Sequence, residues 1–455
     1  MKFNKICVIG LGYIGLPAAS TFAAHGLDVL GVDINTEIIQ TLNRGEIHIH
    51  EPGLRDAFSK AHRSGKFKAA FKPEEADAFI IAVPTPFKEN ETGEYNGMTY
   101  KLADLGAVTS AAESIAPYLR KGNLVVLEST SPPRTTLDLV APILEKSSLK
   151  AGVDFHLCYS PERVLPGQIL KELVENARII GGATPESAQA GADLYSIFVK
   201  GQIVQTDATT AEMVKLMENT TRDISIAIAN EFSRLADAFG VDVWEAIRLA
   251  NLHPRIKILN PGPGVGGHCI SVDPWFLVEA APELTPLIYH SRQVNDAQPH
   301  FVVDIVKRAF LAQAAVPDNS APAGSILNGK KIAALGLAYK PDVDDLRESP
   351  ANEVIHLLQQ NGAEVKAWEP FKPEAQLPGI EMAASLEESL EDADAILLLV
   401  KHTQFARLNP AHLLEETKAR LVIDTVNAWD RNTWEEAGFQ IVRLGDGKSK
   451  IVNLP

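Results

Sequence analysis

Short apolar runs alternate with helical patterns at both ends of the chain, and the middle is mainly helical. Apolar runs of about four to eight residues, bounded by turn residues, are typical of strands buried on both faces of a parallel sheet. They are KICVIG, DVLGVDI, ADAFIIAVPTP and GNLVVLEST in the first part, and KIAALG, AEVKAW, ADAILLLV and ARLVID in the last part. They predict an α/β protein with two Rossmann-like parallel-sheet domains joined by a central helical region.

One long helical pattern dominates the central region. It runs from about residue 209 to residue 239 with few helix-breaking residues, and Gly240 can end it. Lys215, Asn219 and Arg222 recur at a spacing that places them on one face of this helix. That face is either a solvated polar stripe or a surface that faces a ligand, and the pattern leaves both readings open. A long helix between two domains can also serve as a dimer interface.

The first strand runs into the spacing G-x-G-x-x-G, formed by Gly10, Gly12 and Gly15, and Asp33 stands at the end of the second strand. The first glycine permits a tight turn, the second lets a pyrophosphate approach the backbone, and the third allows close packing of helix on strand. Asp33 would accept hydrogen bonds from a ribose and repel a 2′-phosphate, which favours NAD over NADP. A Rossmann fold with an empty or different site is the alternative.

Two threonines follow later strands of the same part of the chain. Thr85 follows ADAFIIAV, and Thr130 follows GNLVVLES. Because ligands of open parallel sheets bind outside the carboxyl ends of the strands, both are placed to contact the cofactor. The alternative for each is a simple turn or cap residue. The polar segment KENETGEYNG, between two of these elements, is expected to be a surface loop.

The stretch PGPGVGGHCISVDPW surrounds Cys269 with four glycines and three prolines, and Asp273 follows four positions later. Such residues exclude a regular helix or strand and let backbone approach a ligand. The stretch is either a tight turn with a structural cysteine or a loop that presents a nucleophile. An NAD site elsewhere in the chain favours the nucleophile, because a thiol adds to an aldehyde and the adduct then loses hydride during aldehyde oxidation.

Composition narrows the class of protein. The net charge of -15 over 455 residues argues against a nucleic-acid binder or a basic membrane-surface protein, although it leaves room for a local anion site. Cys7 and Cys158 lie in apolar strand-like runs, and three cysteines in all indicate a reducing, cytoplasmic compartment rather than a disulfide framework. No apolar run reaches the roughly 18 residues of a membrane span. No metal site is expected.

Three blocks of the sequence resemble the UDP-glucose/GDP-mannose dehydrogenase family. They are GLGYIGLP, GVGGHCISVDPW and GLAYKPDVDDLRESP, and the resemblance extends over essentially the whole chain. Within the family the chain most resembles the UDP-N-acetyl-D-mannosamine dehydrogenase branch, through SPERVLPG, IRLANLHPRIKILNPGPGVGGHC and VKHTQF. The resemblance implies an NAD-binding Rossmann-like domain at 1–205, a central helical dimerisation and catalytic region at 206–315, and a UDP-sugar-binding α/β domain at 316–455.

The resemblance also implies a reaction. It is an NAD-dependent, four-electron oxidation of the C6 hydroxyl of a UDP-N-acetylhexosamine through a cysteine thiohemiacetal and thioester, and UDP-N-acetyl-D-mannosamine is the expected substrate. Cys269 matches the nucleophile, and the other matching catalytic residues are Lys215, Asn219, Asp273, Thr130 and Glu162. The acid product would suit cell-surface polysaccharide synthesis.

Binding residues follow from the same resemblance. Besides the three glycines, the residues that match NAD contacts are Tyr13, Ile14, Asp33, Thr85, Thr130 and Arg347. Those that match substrate contacts are Arg163, Val164, Lys215, Asn219, Arg222, His253, Arg255, Gly266, Tyr339 and Lys340. A homodimer is the expected assembly.

Two positions depart from the family pattern. Relatives often carry a basic residue, as a substrate ligand, after the D-T of a late strand where this chain has Val426. Either Arg431 or another group substitutes, or the contact is missing. UDP-glucose dehydrogenases carry a second glutamate where this chain has Pro166, which argues against UDP-glucose as substrate.

Three other functions remain as alternatives. The first is a UDP-N-acetylglucosamine 6-dehydrogenase, which would share the same motifs. The second is a single-step, NAD-dependent alcohol dehydrogenase or 6-phosphogluconate-like enzyme with a structural Cys269, and it predicts one NADH for each substrate. The third is a non-catalytic nucleotide-sugar binder, which would bind ligand without forming NADH.

Overall fold

The computed structural model describes residues 1–267, 269–313 and 326–448. The chain forms two compact units. The first contains Met1–Asn219 and Trp275–Thr285, and the second contains Thr220–Pro274 and the described residues from Pro286 onward.

The strands form two large sheets and one hairpin. They are β1 (Lys5–Ile9), β2 (Asp28–Val32), β3 (Phe67–Ala70), β4 (Ala78–Ile81), β5 (Phe87–Tyr95), β6 (Met98–Ala103), β7 (Leu124–Leu127), β8 (His156–Tyr159), β9 (Arg178–Gly182), β10 (Ile203–Asp207), β11 (Lys331–Leu335), β12 (Glu364–Trp368), β13 (Glu381–Met382), β14 (Ala395–Leu398), β15 (Leu421–Asp424) and β16 (Gln440–Arg443).

The α-helices lie between and around these strands. They are α1 (Gly15–Ala24), α2 (Thr36–Asn43), α3 (Leu54–Arg63), α4 (Gly106–Ile115), α5 (Ala141–Leu144), α6 (Ile169–Glu175), α7 (Pro185–Tyr195), α8 (Ala208–Phe239), α9 (Val243–Ala250), α10 (Asp273–Ala280), α11 (Pro286–Asp296), α12 (Gln298–Gln313), α13 (Pro350–Gln360), α14 (Leu386–Leu390), α15 (Thr403–Ala406), α16 (Pro410–Glu416) and α17 (Arg431–Ala437). A π-helical turn, Thr135–Val140, precedes α5, and short 3-10 turns lie at Ala116–Tyr118, Glu145–Ser147 and Pro282–Leu284.

The first unit contains an eight-stranded sheet in the order β10-β9-β8-β7-β4-β1-β2-β3. Neighbouring strands are parallel except β8 and β9, which are antiparallel. Alternate residues of β1 belong to different apolar clusters: Ile6 and Val8 pack with Phe22, whereas Cys7 and Ile9 pack with Phe79. Both faces of the sheet are therefore buried, which explains the continuous apolar runs in the sequence.

The second unit contains a six-stranded parallel sheet in the order β13-β12-β11-β14-β15-β16. Apolar clusters again cover both faces, with Ile332 and Ala334 in one cluster and Ala333 and Leu335 in the other. The two parallel sheets and the helices between them confirm the predicted fold class. Among the described residues, no helix is both long enough and apolar enough to cross a membrane.

The long central helix forms as predicted. It is α8, which ends at Phe239 because Gly240 takes a left-handed conformation with φ +72°. The segment predicted as a surface loop is instead part of the β5–β6 hairpin, although its side chains are mostly exposed. Asn96 and Gly97, with φ of 46° and 82°, form the turn. An Asn-Gly pair between strands was the signal for this hairpin.

Candidate active site

The loop between β1 and α1 has the geometry that its glycine spacing predicts. Gly10 has φ +91°, and a methyl group there would lie 2.5 Å from the carbonyl oxygen of Ala82. A methyl group at Gly15 would lie 1.8 Å from the carbonyl oxygen of Gly10, so both positions exclude a side chain. At Gly12 a methyl group would meet no described atom within 4 Å. The backbone at Gly12 is therefore open to a ligand, and the residues fit a bound dinucleotide.

Asp33 ties this loop to the end of β2. One carboxylate oxygen accepts the backbone N–H of Leu11 at 2.9 Å, and the other accepts that of Asn35 at 2.9 Å. The carboxylate is half-buried beside the glycine loop. It retains acceptor capacity for the hydroxyls of a ribose, since each carboxylate oxygen can accept more than one hydrogen bond.

The carboxyl ends of four adjacent parallel strands, β7, β4, β1 and β2, meet at one edge of the first sheet. The strand order reverses between β1 and β4, and the crevice at such a switch point is where open α/β sheets bind ligands. Thr85 and Thr130 lie at this edge, and the Thr85 hydroxyl donates to the Thr130 carbonyl oxygen at 2.6 Å. The structure thus brings both threonines together with the glycine loop and Asp33.

The turn after β8 lies at the same edge and contains Glu162. One oxygen of Glu162 accepts from the Arg178 guanidinium at 2.6 Å, and the other accepts the backbone N–H of Arg163 at 2.8 Å. Arg178 is itself buried and also donates to Glu128 at 3.2 Å. Burial raises the pKa of the Glu128 carboxyl to about 7, although the Arg178 charge opposes that rise. Two carboxyl groups thus share one buried arginine.

The same turn is attached to α8. Arg163 pairs with Glu218 of the helix at 2.6 Å, one residue before Asn219. The buried Glu51 accepts the backbone N–H groups of Gly167 and Ile169 at 2.9 and 2.8 Å and so fixes the other end of the turn. The Val164 side chain is partly buried against the core of the first unit.

The first half of α8 is anchored to the segment after β7. Glu212 accepts the backbone N–H groups of Arg134 and Thr136 and the Thr136 hydroxyl, at 2.6, 2.8 and 2.6 Å. Lys215, one turn further along, is buried, whereas Asn219 is half-buried and Arg222 is exposed. The face of α8 that carries Lys215, Asn219 and Arg222 therefore begins inside the protein and reaches solvent. It is not a uniformly solvated stripe.

The second unit carries Cys269. Its side chain is exposed, whereas Cys7 and Cys158 are buried. The Cys269 carbonyl oxygen accepts the N–H groups of Val272 and Asp273 at 3.1 and 2.8 Å, which forms the turn that leads into α10. Asp273 is the first residue of this helix and is almost completely buried.

The glycines before Cys269 have a packing role. A methyl group at Gly267 would lie 3.0 Å from the Tyr339 ring, and one at Gly266 would lie 2.5 Å from the carbonyl oxygen of Glu348. The Gly267 N–H donates to that oxygen at 3.3 Å. These glycines therefore let the cysteine loop approach the segment between Tyr339 and Glu348.

A buried amide network holds the start of the cysteine loop against α8. The Gly262 N–H donates to the Asn230 side-chain oxygen at 3.0 Å, and the Asn230 amide donates to Asn295 at 2.9 Å. Asn295 in turn donates to Asp223 at 2.8 Å, and Arg292 pairs with the same carboxylate at 2.5 Å. Because these bonded side chains are buried, they fix the start of the cysteine loop on α8.

The remaining predicted residues of the second unit lie on loops. His253 and Arg255 are exposed after α9, and the Arg255 N–H donates to the His253 ring at 3.4 Å. The Lys340 ammonium lies 5.5 Å from the centre of the Tyr339 ring. The Arg347 guanidinium forms two hydrogen bonds of 2.8 Å with Asp345.

The turn after β15, where Val426 replaces a basic residue, has basic neighbours. Arg431 is held by Glu435, by Asp446 and by the carbonyl oxygen of Ile441. Lys401, in contrast, donates to the carbonyl oxygen of Asn427 at 2.8 Å, directly beside Val426. The ammonium of Lys401 therefore lies at this turn.

Predicted site residues thus occur in both units. The first unit brings together the glycine loop, Asp33, Thr85, Thr130, Glu162, Arg163 and the Lys215–Asn219 turn of α8. The second brings together the cysteine loop and the segment with Tyr339. Sequence reasoning missed Glu128 and Arg178. For Glu128 the signal was a carboxylate directly after the apolar strand LVVL. No local sequence pattern marked Arg178.

Known proteins match the chain over nearly its whole length. Sequence models of three domains of the UDP-glucose/GDP-mannose dehydrogenase family match in succession: the NAD binding domain at residues 4–199, the central domain at 209–297 and the UDP binding domain at 333–431.

Individual relatives are similar from end to end. The chain is 44% identical to a UDP-N-acetyl-D-mannosamine dehydrogenase of Methanococcus aeolicus over 454 residues, which are 99% of this chain and 97% of the relative. It is 46% identical to an NDP-N-acetyl-D-galactosaminuronic acid dehydrogenase of Ralstonia solanacearum, over 94% of this chain and 97% of the relative.

A solved structure has the same fold. The UDP-D-ManNAc dehydrogenase of Pyrococcus horikoshii is similar with a TM-score of 0.86 and 40% identity, over 97% of this chain and 99% of that structure. The domain order, the identity and the fold agree over the full length. The chain therefore belongs to the UDP-glucose/GDP-mannose dehydrogenase family and is an NAD-dependent UDP-sugar dehydrogenase.

Proposed function

We propose that this enzyme oxidises the C6 hydroxyl of UDP-N-acetyl-D-mannosamine to the carboxylic acid, with two NAD consumed per substrate. The observation that carries the proposal is the exposed Cys269 thiol in a glycine-rich loop, in a chain whose other two cysteines are buried. An NAD-dependent dehydrogenase with an accessible thiol can go beyond the aldehyde, because the thiol holds the aldehyde carbon for a second oxidation.

The proposed chemistry balances over two oxidations. NAD, held by the glycine loop and Asp33, would supply the hydride acceptor for both. In the first, the C6 hydroxyl loses its proton to a basic group and the aldehyde forms. The Cys269 sulfur then bonds to the aldehyde carbon and gives a thiohemiacetal, whose oxidation leaves a thioester. Water cleaves the carbon–sulfur bond, and the acid and the free thiol result.

The proposed roles of the chain's own residues follow from their environments. Lys215, a buried ammonium, stabilises the oxyanion and acts as acid and base, and Asn219 assists it one turn further along. Thr130 and Asp273 position or activate water. Glu162 acts in thioester hydrolysis, and its pairing with Arg178 fixes where its carboxylate stands.

Cofactor and substrate contacts are proposed from the same placement. The loop of Gly10, Gly12, Tyr13, Ile14 and Gly15 would hold the pyrophosphate, Asp33 the adenosine ribose, and Thr85 and Thr130 the nicotinamide half. Arg347 is a further proposed NAD contact. The proposed sugar-nucleotide contacts are Arg163, Val164, Lys215, Asn219, Arg222, His253, Arg255, Gly266, Tyr339 and Lys340, and Lys401 supplies a basic group beside Val426.

The choice of sugar rests on the relatives and on one position. Several relatives at 44–46% identity are UDP-N-acetyl-D-mannosamine dehydrogenases, and two at 46% are named for N-acetylgalactosaminuronic acid. Pro166 replaces the second glutamate of UDP-glucose dehydrogenases, which disfavours UDP-glucose. UDP-N-acetylglucosamine is the second candidate substrate. The three-part domain division and a cytoplasmic location, the latter from the sparse cysteines, complete the proposal.

We also propose that the enzyme is a homodimer. The exposed apolar side chains Ile228, Phe232, Leu235 and Phe239 recur along one stripe of α8, and Phe239 is 77% exposed. Beside them lies an apolar groove of about 370 Å³ between α8 and α9. A self-complementary apolar stripe on a long helix suits packing against a second copy about a two-fold axis.

The test is the ratio of NADH formed to substrate consumed. UDP-N-acetyl-D-mannosamine, UDP-N-acetylglucosamine, UDP-glucose and GDP-mannose are each supplied with NAD, and we expect two NADH per molecule with the first. Cys269→Ser should lower net turnover by about 10³-fold or more while NAD affinity is kept, and Cys7→Ala is the matched control. One NADH per substrate, or near-normal turnover of Cys269→Ser, would show that the covalent mechanism is wrong.

A further inference from the structure

The order of strands locates a ligand crevice in the second unit. β11 has β12 on one side and β14 on the other, so the chain direction through the sheet reverses between β11 and β14. The crevice outside the carboxyl ends of such strands is where open parallel sheets bind ligands. Two segments border it: Gly336–Asp342, which follows β11, and Leu399–Thr403, which follows β14. The UDP binding domain of the family covers both segments.

A buried carboxylate holds the first part of the segment after β11. Glu369, which directly follows β12, accepts the N–H groups of Leu337 and Ala338 with one oxygen, at 2.8 and 3.0 Å. Its other oxygen accepts the N–H of Phe371 at 3.0 Å. Burial by itself would raise the pKa of the Glu369 carboxyl, but hydrogen bonds from His402 and the backbone hold it below its ordinary value.

His402 connects this carboxylate to the far end of the segment. Its Nδ1 accepts the N–H of Asp342 at 2.9 Å, and its Nε2 lies 3.1 Å from the same Glu369 oxygen. Because Nδ1 accepts, the neutral imidazole carries its proton on Nε2 and donates it to Glu369. Both side chains are fully buried, and the rings of Phe371 and Phe405 pack at 5.0 and 5.5 Å from the imidazole.

The end of the segment is held in an unusual conformation. Asp342 has φ +59°, a left-handed backbone that persists when its surroundings hold it. Its carboxylate accepts the Thr403 N–H at 2.8 Å and the Thr403 hydroxyl at 2.6 Å. His402 and Thr403 are adjacent in the motif VKHTQF. His402 thus bonds the backbone of Asp342, and Thr403 bonds its side chain.

The segment carries Tyr339 and Lys340, two residues that match substrate contacts. The Tyr339 ring packs against Gly267 of the cysteine loop. The Tyr339 N–H is bonded to the Asp345 carbonyl oxygen at 3.1 Å, which closes the segment into a compact loop. A shift of this loop would therefore move Tyr339 and Lys340 together.

We propose that His402 and Glu369 are positioning residues that hold Leu337–Asp342 in the shape that binds the UDP moiety. His402 acts through the Asp342 N–H, and Glu369 acts through the N–H groups of Leu337 and Ala338. The proposal gives a role to the motif VKHTQF, and it rests on the proposed function only in assigning UDP contacts to Tyr339 and Lys340.

Two substitutions of His402 separate positioning from packing. The amide oxygen of Asn can stand near the place of Nδ1, so His402→Asn keeps an acceptor for the Asp342 N–H. His402→Gln puts its amide near the place of Nε2, so it keeps a partner for Glu369 and loses that acceptor. We expect His402→Gln to weaken UDP binding about tenfold or more and His402→Asn to weaken it no more than about threefold.

The measurements are calorimetric dissociation constants for UDP and for NAD with the full-length enzyme, together with kcat and KM. NAD affinity should stay within about twofold, and the loss in His402→Gln should fall on the KM of the sugar nucleotide more than on kcat. Thr403→Val removes the exposed hydroxyl that donates to Asp342, and it should also weaken UDP binding. His412→Asn, at an exposed histidine of α16, should leave UDP binding unchanged.

Equal UDP affinities in His402→Asn and His402→Gln would overturn the proposal, because packing alone would then explain the pair. A parallel loss of NAD affinity would overturn it too, since it would indicate general loosening of the protein. UDP binding is measured without turnover. A wild-type enzyme that binds UDP but does not oxidise UDP-N-acetyl-D-mannosamine would contradict the proposed substrate and leave this inference intact.

Discussion

Glu128 is a carboxyl group that the fold keeps away from water. One of its oxygens accepts from the Tyr195 hydroxyl at 2.5 Å and from Arg178, and the other has no hydrogen-bond partner among the described residues. The nearby Glu162 carboxylate competes for the same arginine. Burial and the second carboxylate therefore favour the protonated form of Glu128, which explains the raised pKa.

We expect Glu128→Gln to change how stability depends on pH. The pKa of the Glu128 carboxyl is about 7 in the folded chain, against an ordinary value of 4.5. Between these values the folded chain keeps a proton that the unfolded chain has lost, so the free energy of unfolding falls as the pH rises. Between pH 4.5 and about 7, the free energy of unfolding of the wild-type protein should fall by up to about 3 kcal/mol relative to that of the variant. Urea unfolding at several pH values measures this change.

Glu75→Gln is the matched control for this experiment. The Glu75 side chain is 64% exposed and pairs with Arg120 at the surface, so its replacement should change the free energy of unfolding by less than about 1 kcal/mol. If the difference between wild type and Glu128→Gln were constant with pH, Glu128 would be ionised throughout the range, and burial would not favour its protonated form.

Residues differ in how far the sequence predicts them. The roles of Gly10, Gly12 and Gly15 could be predicted, because each depends on local backbone geometry that only a few neighbouring residues determine. The pairing of Glu128 with Arg178 could not, because these residues are far apart in the sequence and meet only when β7, β8 and β9 lie side by side. Lys401 was missed for the same reason: the turn it reaches belongs to another strand.

At the scale of an element, the β1–α1 loop makes a paired prediction. Gly12→Ala should leave thermal stability nearly unchanged, because its methyl group meets no described atom within 4 Å, and should weaken NAD binding about tenfold or more. Gly15→Ala should destabilise the first unit by about 3 kcal/mol or more, because its methyl group would overlap the Gly10 carbonyl oxygen. Calorimetry for NAD and thermal unfolding measure both effects.

Each variant serves as the control for the other. Destabilisation by Gly12→Ala equal to that of Gly15→Ala would mean that the loop is closed rather than open at Gly12. Unchanged NAD affinity in Gly12→Ala would mean that the dinucleotide does not approach this part of the backbone.

Helices and strands with a regular pattern of apolar residues could be predicted from the sequence. Elements without such a pattern could not. The pattern of α8 extends over 32 residues, so its limits could be predicted to within about one residue. The β5–β6 hairpin was missed because its strands are polar and exposed, and no buried face gives them an apolar alternation. Its Asn-Gly turn was the informative feature.

At the scale of the whole molecule, the apolar stripe on α8 predicts assembly. Phe239→Glu should raise the dimer dissociation constant by about 100-fold or more, because a two-fold interface contains the substituted residue twice and each buried Phe contributes about 1.5–3 kcal/mol. The fold should be unaffected, since Phe239 is 77% exposed. Sedimentation over a range of concentrations measures the change.

Leu284→Glu is the control for dimerisation, because Leu284 is equally exposed and belongs to a different element, the turn Pro282–Leu284. A wild-type enzyme that sediments as a monomer at all concentrations, or a Phe239→Glu variant that sediments like the wild type, would contradict the proposed interface.

The architecture of the whole molecule was predictable where it repeats a simple rule. Alternating strands and helices imply parallel sheets, and the two sheets formed as expected. The contact of Gly266 and Gly267 with the segment from Tyr339 to Glu348 was not predictable, because it joins loops from distant parts of the chain. The sequence suggested that these glycines admit a substrate, and the structure adds that they admit backbone and an aromatic ring.

The unequal burial of the three cysteines makes the chain its own folding reporter. Burial raises the pKa of the Cys7 thiol to about 12 and also raises that of Cys158, so neither reacts readily with a maleimide at neutral pH. Cys269 is exposed. A folded chain therefore takes up one equivalent of reagent and an unfolded chain takes up three. The mass of the labelled protein then counts unfolded molecules directly, without any introduced probe.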